Sequence, residues 1–326
     1  DHFWSATTGW KASDEDFLKD NEIISFLKLR ASYGTLGNLV GNNLNRSFLS
    51  GEGTYVFDGA LVDGTAQGRL PNPLAQWETA QKLDIGLDIN LFDDKISIVA
   101  DYFEETRRSL LIQNFPVSGI LGTGAPGGAN PTVNAGTSVN TGGELAISYA
   151  AIKTEDASLN FAYNVTYVKN EVTDVTGGAL IEGGDFAIGN LPPSRMEVGQ
   201  PIGYFYGLQT DGLFQNQAEI NAHPSQAGLG SVVTSPGDIR YKDVNNDGVI
   251  DIHDRTSIGK PQADFFMCFN FSGTYKNWDF SAYLYAELGK EIVRNYERFL
   301  PNSNKPAYYL DRWTGEGTSN FVPRLT

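Results

Sequence analysis

The sequence has very little cysteine and histidine: Cys268 and three histidines are all that occur in 326 residues. A single thiol cannot form an internal disulfide, and zinc sites built from cysteine or histidine need several such ligands. The composition therefore excludes a disulfide-stapled fold and gives little support to a zinc enzyme.

Basic side chains are also in deficit. Lys and Arg together number 24 against 39 Asp and Glu, which gives a formal charge of −15. A surface that binds nucleic acid needs a basic stripe to displace counterions from phosphate. We therefore expect no nucleic acid partner.

Long hydrophobic runs are absent, and the mean hydropathy is −0.28. No stretch of about 18 apolar residues occurs, so the sequence predicts no transmembrane helix. A membrane β-barrel is not excluded, because each of its strands exposes only alternate residues to lipid.

What the sequence does contain is alternation of apolar and polar residues with a period of two. The clearest example covers residues 81–92 and resumes over 96–103, after a turn at Asp93-Asp94. The matching apolar rows predict a hairpin with one apolar face. These rows consist of Leu83, Ile85, Leu87, Ile89 and Leu91, then Ile96, Ile98, Ala100 and Tyr102.

The same alternation recurs in segments that begin near Leu27, Leu145, Leu159 and Phe265, and again after a tight turn at Lys276-Asn277. Several predicted strands run about 9 to 12 residues, longer than the usual five or six in soluble sheets and long enough to cross a bilayer at a tilt. The sequence thus predicts an all-β fold, a transmembrane antiparallel β-barrel. A secreted antiparallel β-sandwich shows the same alternation and is the alternative.

Three long segments, 37–76, 112–140 and 170–262, separate the predicted strands. Outer-membrane barrels place short turns at one rim and long loops at the extracellular rim. We therefore expect these segments to be long extracellular loops. The turns at Asp93-Asp94 and Lys276-Asn277 should be tight, and the other connections should be long.

Residues 243–254 match the pattern of an EF-hand-like calcium loop. Oxygen donors fall at loop positions 1, 3, 5, 9 and 12, Gly248 allows the sharp turn at position 6, and the carbonyl group at position 7 is a further ligand. The spacing predicts a structural Ca²⁺ ion, although an ion-free turn rich in Asp, Asn and Gly is the alternative. The candidate metal ligands are Asp243, Asn245, Asp247, Val249, Asp251 and Asp254.

Catalytic signatures are missing. Neither a Gly-x-Ser-x-Gly elbow nor a phosphate-binding Gly-rich loop occurs, and His2, His223 and His253 have no recognisable nucleophile beside them. Paired carboxylates such as Glu104-Glu105 are more typical of solvated strand faces. We expect no enzymatic activity.

Five groups of residues resemble, in the same order, segments of the SusC/RagA-like TonB-dependent transporters. They are Leu29-Arg30-Ala31-Ser32-Tyr33-Gly34 with Gly37-Asn38, Asn72-Pro73-Leu74 with residues 77–88, residues 199–207 with 210–214, residues 236–243 with 254–261, and Asp311-Arg312-Trp313 with Pro323-Arg324.

The resemblance implies that residues 1–326 are part of an outer-membrane barrel of about 22 strands, with the plug domain, the TonB box and the final strands outside this chain. The long loop region 170–262, predicted above from the sequence pattern, contains the calcium-like loop. The implied partners are a SusD-like surface lipoprotein and the TonB-ExbB-ExbD complex. The implied activity is import of oligosaccharides or other large nutrients, including peptides, across the outer membrane of a Gram-negative, Bacteroidetes-like bacterium.

Within this fold, the polar positions of the strands should line the lumen or contact the plug. These positions include Lys28, Arg30, Asp84, Asp88, Asp101 and Asn160. The competing prediction is a secreted, calcium-braced β-sandwich that binds carbohydrate.

Overall fold

The computed structural model describes residues 2–19, 21–38, 44–51, 53–123, 128–184, 192–230, 233–294 and 304–325. Strands dominate this part of the chain. In chain order they are β1 (Ser5–Lys11), β2 (Ile24–Asn38), β3 (Leu49–Ser50), β4 (Tyr55–Phe57), β5 (Ala60–Val62), β6 (Ala66–Gln67), β7 (Glu78–Leu91), β8 (Ile96–Arg108), β9 (Leu111–Ile112), β10 (Val133–Asn134), β11 (Gly136–Lys153), β12 (Ala157–Val175), β13 (Ile181–Gly183), β14 (Ser194–Met196), β15 (Tyr204–Leu208), β16 (Thr210–Leu213), β17 (Ile239–Tyr241), β18 (Arg255–Gly259), β19 (Phe265–Tyr275) and β20 (Trp278–Leu288).

Helices are short. The α-helix α1 (Gln217–Ala222) begins after Asn216, whose side chain accepts a hydrogen bond from the Glu219 amide at 3.0 Å, as N-cap residues do. The 3-10 helices are Ala12–Asp14, Gly119–Leu121, Thr176–Gly178, Ala227–Leu229, Ile252–Asp254 and Ala307–Asp311. In the ranges given above, every helix is too short or too polar to cross a membrane.

Eight long strands form one antiparallel sheet in the order β1-β2-β7-β8-β11-β12-β19-β20. Each strand pairs with the long strand that precedes or follows it along the chain, as in an up-and-down meander. This is the arrangement expected for neighbouring strands of an outer-membrane barrel wall.

The connections alternate in length. Residues 39–77, 109–135 and 176–264 join strands at one rim, whereas 92–95, 154–156 and 276–277 are tight turns at the other rim. This confirms the tight turns at Asp93-Asp94 and Lys276-Asn277. The expectation that other connections are long was wrong for the β11–β12 turn, where Thr154 and Ala157 close a short hydrogen-bonded loop.

Two of the predicted loop boundaries were also wrong. β11 already begins at Gly136, and β12 continues to Val175. At their outer ends these strands carry polar residues on both faces, so the apolar alternation stops while backbone pairing continues. Residues 39–43, 52, 124–127, 185–191 and 231–232 of the predicted loops lie outside the described residues.

The register places all the apolar rows on the same face of the eight-stranded sheet. Leu87 of β7, for example, pairs with Leu29 on one side and Ala100 on the other, and cross-strand partners share a face. We call this the apolar face. Its central rows are formed by Leu27, Leu29, Ala31, Leu83, Ile85, Leu87, Ile89, Ile96, Ile98, Ala100, Leu145, Ile147, Phe161, Tyr163, Val165, Met267, Phe269, Phe271, Ala282, Leu284 and Ala286.

No side chain of these central rows is among the buried hydrophobic residues of the described chain. Ile85 is 50% exposed and Leu284 is 64% exposed. A β-sandwich would bury such a face against a second sheet. The uncovered apolar face therefore contradicts the sandwich alternative and is typical of a surface that contacts lipid.

The chain divides into two units. The first comprises Asp1–Ile181, Met196–Ile202 and Gln262–Lys290 and contains the eight-stranded sheet, and the second comprises Glu182–Arg195, Gly203–Pro261 and Glu291–Thr326. A small core of Val172, Val175 and Met196 lies in the first unit, where Val172 also exchanges backbone hydrogen bonds with Gly199 and Gln200.

Much of the predicted loop region 170–262 is structured. A sheet with the order β13-β14-β15-β18 and a pair formed by β16 and β17 fall within it. The alternation of apolar and polar residues did not predict these strands, because each has only three to five residues.

Candidate functional site

The polar face of the eight-stranded sheet carries a network of ion pairs around Arg30. The Arg30 guanidinium donates through Nε and Nη2 to the carboxylate of Asp88, at 3.0 and 2.8 Å. Nη2 also donates to Asp101 Oδ1 at 2.9 Å. Two neighbouring strands, β7 and β8, therefore hold one guanidinium of a third element, β2, in a fixed position.

The network is only partly shielded from solvent, since the Arg30 side chain is 30% exposed and Asp101 is 13% exposed. Charge-assisted bonds of the bidentate kind are stronger and geometrically more specific than neutral ones. One cation serves two carboxylates, and Glu144 lies directly across from Asp101 on β11. The cluster consequently keeps a net negative charge.

Gly86 is required for the close approach of these side chains. A Cβ atom at this position would overlap Asp101 Oδ1 and lie 2.7 Å from Arg30 Cζ. We predict that Gly86→Val separates Arg30 from Asp101 and destabilises the barrel by about 1–3 kcal/mol through overpacking, measured as the urea unfolding free energy of the full-length protein.

Gly9 provides the matched control, because it faces Arg30 from β1 as Gly86 does from β7. A Cβ atom at Gly9 would meet mainly the flexible end of Lys28, at 3.1 Å. Gly9→Val should therefore lower the unfolding free energy much less than Gly86→Val does. Equal losses of unfolding free energy in the two variants would contradict this account of Gly86.

The structure brings together some of the predicted lumen residues and separates others. Arg30, Asp88 and Asp101 form the network, and Lys28 lies opposite Asp88. Asp84 lies between Ser32 and Phe103 on the same face. Asn160 is on β12, between Ala150 and Ser272, and belongs to a different part of the face.

The predicted lumen positions left out several polar-face residues, although the period-two pattern contains them. Extending the alternation along β8 and β11 places Glu105, Arg107 and Glu144 on this face. The Arg107 guanidinium pairs with the Glu105 carboxylate two residues before it, a contact that strand geometry favours because residues i and i+2 share a face.

The calcium-like loop lies in the second unit and is organised around two buried side chains, Ile250 and Asp254. Both are 0% exposed. The Ile250 amide donates to the Ser225 carbonyl at 2.8 Å. Asp254 accepts hydrogen bonds from the amides of Val244, at 2.8 Å, and Asp251, at 2.9 Å. Its carboxylate therefore connects the beginning of the loop to the end of the loop.

The other acidic side chains of the loop also accept backbone amides. Asp243 accepts from Gly248 at 2.9 Å, and Asp247 accepts from Val249 at 2.9 Å. Asn245 accepts from the Asp247 amide at 2.9 Å. Gly248 has a φ of +86°, a conformation that glycine adopts without strain.

These bonds lower the pKa of two loop carboxyls. The Asp251 amide, followed by the amides of Val244 and Asn245, holds the pKa of Asp254 below its ordinary 3.8. The His253 amide and ring lower the pKa of Asp251. Because both shifts are downward, their stabilisation of the loop is complete above the ordinary carboxyl pKa and is lost as the pH falls through the lowered values.

The donor set fits calcium only in part. Asp243, Asn245, Asp247 and the Val249 carbonyl supply the hard oxygen ligands that Ca²⁺ prefers. Yet across the described ranges no three His, Cys, Asp or Glu side chains come close enough together to hold a metal ion. Asp254, the expected position-12 ligand, is engaged by backbone amides.

The carboxyl-terminal segment of the second unit forms a separate polar cluster. Gln215 donates to the Ser319 carbonyl at 3.0 Å and accepts from the Trp313 indole at 3.2 Å. Arg324 donates to Asp238 at 2.7 Å. Residues 311–313 and 323–324, which resemble the family segments, thus include side chains that bind this segment to residues 213–241.

The first 287 residues match the family model described as TonB dependent receptor-like, beta-barrel. TonB-dependent receptor P26 of Formosa agariphila is 29% identical to this chain over 327 residues, covering 98% of this chain and 32% of that protein. TonB-dependent receptor SusC of Bacteroides thetaiotaomicron is 29% identical over 314 residues, covering 92% of this chain and 28% of SusC.

Among solved structures, a chain of the RagAB peptide transporter superposes with a TM-score of 0.74 at 21% identity, covering 99% of this chain and 34% of that chain. A second structure, of the RagAB peptide importer in its open-open state, gives a TM-score of 0.71 at 22% identity, covering 99% of this chain and 33% of that chain. These likenesses support the barrel fold. The chain spans about a third of the length of the curated relatives it matches.

The family consists of receptors and transporters, in agreement with the expectation that the chain is not an enzyme. Its members are outer-membrane proteins, and the uncovered apolar face described above suits that location. With its first 287 residues matched by the family model and its meander of paired strands, this chain belongs to the TonB-dependent receptor-like β-barrel family and resembles its SusC and RagA members.

Proposed function

We propose that the full-length protein imports oligosaccharides or other large nutrients, including peptides, across the outer membrane. TonB, with ExbB and ExbD, would supply the energy, and a SusD-like lipoprotein would deliver the solute at the surface. The observation that supports this proposal best is the division of one sheet into an uncovered apolar face and a polar face with fixed ion pairs. A wall with these two faces separates lipid from an aqueous lumen.

The lengths of the connections support a surface partner. All three long connections leave the same rim, and they account for 39–77, 109–135 and 176–264. The family relatives include SusC and a component of the RagAB peptide transporter, and the chain's resemblance to them motivates the choice of a SusD-like lipoprotein.

Uptake by cells that carry the full-length protein tests the proposal. Cells with both the transporter and its lipoprotein should accumulate a labelled oligosaccharide or peptide, and deletion of TonB should abolish accumulation without changing the amount of transporter in the outer membrane. Accumulation that continues at the same rate without TonB would contradict the proposal.

We also propose that the loop at 243–254 binds one structural Ca²⁺ ion through oxygens of Asp243, Asn245, Asp247, Val249, Asp251 and Asp254. Support comes from the spacing of the oxygen donors and from the sharp turn at Gly248. Binding would require the Asp254 carboxylate to rearrange, because it now accepts backbone amides.

Calcium at a hundred times its dissociation constant should stabilise the loop by about 2.7 kcal/mol. Slower hydrogen exchange at the Val249 and Ile250 amides of the full-length protein would report this. Asp247→Asn should weaken the calcium effect, because it removes a negative charge while keeping an oxygen ligand at position 5. Asp254→Asn should instead speed exchange even in EDTA, since it weakens bonds that need no metal. Identical exchange in EDTA and in saturating calcium would remove the calcium proposal and leave the ion-free turn.

A further inference from the structure

The polar face of the sheet is divided into a charged and an uncharged part. On β2, β7, β8 and β11 it carries ionised side chains at most levels, including Arg30, Asp88 and Asp101. On β12, β19 and β20 the central rows carry none. Those uncharged rows are Asn160, Ser272 and Ser281, then Ala162, Asn270 and Tyr283, then Asn164, Cys268 and Tyr285.

Charges return only at the ends of this uncharged strip. Asp279 lies beside Thr274 at the tight-turn end of β20, and Glu287 lies opposite Phe266 at the other end. Between them the strip presents amide, hydroxyl, phenol and thiol groups. It spans the central rows of three adjacent strands, as a single unbroken surface.

Most of these groups have unused hydrogen-bonding capacity. In the part of the chain that the structure describes, the side chains of Asn160, Asn164 and Asn270 are exposed and make no hydrogen bond. Tyr283 is 66% exposed, and Tyr285, 55% exposed, donates to Glu287. The strip therefore offers donors, acceptors and two exposed rings.

We infer that this uncharged strip is the part of the wall that contacts the solute during import, and that the solute is a neutral, hydroxyl-rich oligosaccharide. The inference rests on the proposed transport function. Amides and hydroxyls both donate and accept, as sugar hydroxyls do, and tyrosine rings present faces that suit the apolar side of a sugar. An ionised solute would lose hydration there without meeting an opposite charge.

A docked protein segment fits the strip less well. Protein interfaces bury an apolar centre or pair their charges across the contact. The strip has no continuous apolar centre, whereas the charged part around Arg30 has both signs of charge. The plug domain implied by the family is better matched to the charged part.

Uptake by cells carrying the full-length transporter and its lipoprotein tests the inference. The double variant Asn270→Ala/Tyr283→Ala removes an amide and a ring from adjacent strands. The matched control, Ser97→Ala/Ser148→Ala, removes a facing pair of hydroxyls from β8 and β11 on the same polar face. Probes are a panel of fluorescent neutral oligosaccharides and a panel of peptides of similar mass.

The strip variant should import the preferred neutral oligosaccharide about tenfold more slowly, the factor that corresponds to 1.4 kcal/mol, while the control stays within about twofold of the wild type. Tyr283→Phe, which keeps the ring and the fold, should give an intermediate loss. Outer-membrane abundance of each variant corrects the rates for any folding defect.

Three results would overturn the inference while leaving the transport function intact: equal losses in strip and control variants, unchanged uptake in all variants, or preferred import of peptides. Absence of TonB-dependent uptake of either panel by the wild type would instead overturn the proposed function, and this inference with it.

Discussion

Arginine in place of Ile147 is expected to destabilise the full-length barrel by about 2–4 kcal/mol, the range for a basic residue at the lipid-facing midplane of an outer-membrane barrel. Ile147 lies near the middle of β11 and pairs with Ile98 and Tyr163 on the apolar face. A guanidinium there must leave water for hydrocarbon, because its neighbours on both adjacent strands are apolar. Equilibrium unfolding in urea from lipid vesicles gives the free energy directly.

Ala146→Arg is the matched control, since it introduces the same side chain one residue earlier. Ala146 lies on the polar face, between Val99 and Asn164. An arginine there remains in an aqueous environment near carboxylates. We therefore expect Ala146→Arg to lower the unfolding free energy much less than Ile147→Arg does. Equal losses at the two positions would mean that the two faces do not differ in their surroundings.

The substitution Ile250→Ala is expected to lower the unfolding free energy of the second unit by about 2–5 kcal/mol. Ile250 is 0% exposed, and its amide is bonded to Ser225. Ile250→Ala would leave a cavity at the point where the calcium-like loop packs, so the loop should lose order whether or not an ion binds. Hydrogen exchange of the loop amides, measured on the full-length protein with and without EDTA, separates this packing effect from metal binding.

The adjacent Val249 gives the control, because its side chain is 44% exposed. Val249→Ala keeps the backbone carbonyl that the calcium proposal uses and removes little buried surface. We expect a change within about 0.5 kcal/mol, as for ordinary surface substitutions. A similar loss at both positions would show that burial of Ile250 does not organise the loop.

The eight-stranded sheet could be predicted from the sequence because lipid on one side and water on the other impose a period of two. Leu83 to Leu91 and Ile96 to Tyr102 show that period, and their observed register confirms the predicted hairpin. The resemblance to SusC/RagA-like transporters predicted the family, and the match of residues 1–287 to the family model confirms it.

The limits of prediction follow from the same physics. Where β11 and β12 extend past the apolar rows, polar residues occur on both faces, and the pattern no longer marks strand residues such as Asn140 and Asn170. In the second unit the organising contacts join residues about a hundred positions apart, as between Gln215 and Trp313. Such contacts leave no local periodicity in the sequence.

The candidate site was predictable to a similar degree. Alternation placed Arg30, Asp88 and Asp101 on one face. The close approach of their side chains depends on Gly86, and a single glycine in a strand does not by itself predict such a contact. For the calcium-like loop, spacing predicted a metal site, whereas the backbone amides that engage Asp254 became visible only in three dimensions.

Site-directed spin labelling along β11 tests the central claim most directly, namely that one face of this sheet contacts lipid and the other lines an aqueous lumen. Labels would be placed singly at each position from 144 to 149 of the full-length protein in lipid bilayers. The account predicts that labels at 145, 147 and 149 collide more often with membrane-soluble oxygen than labels at 144, 146 and 148. Oxygen accessibility without a period of two, or with the opposite phase, would contradict it.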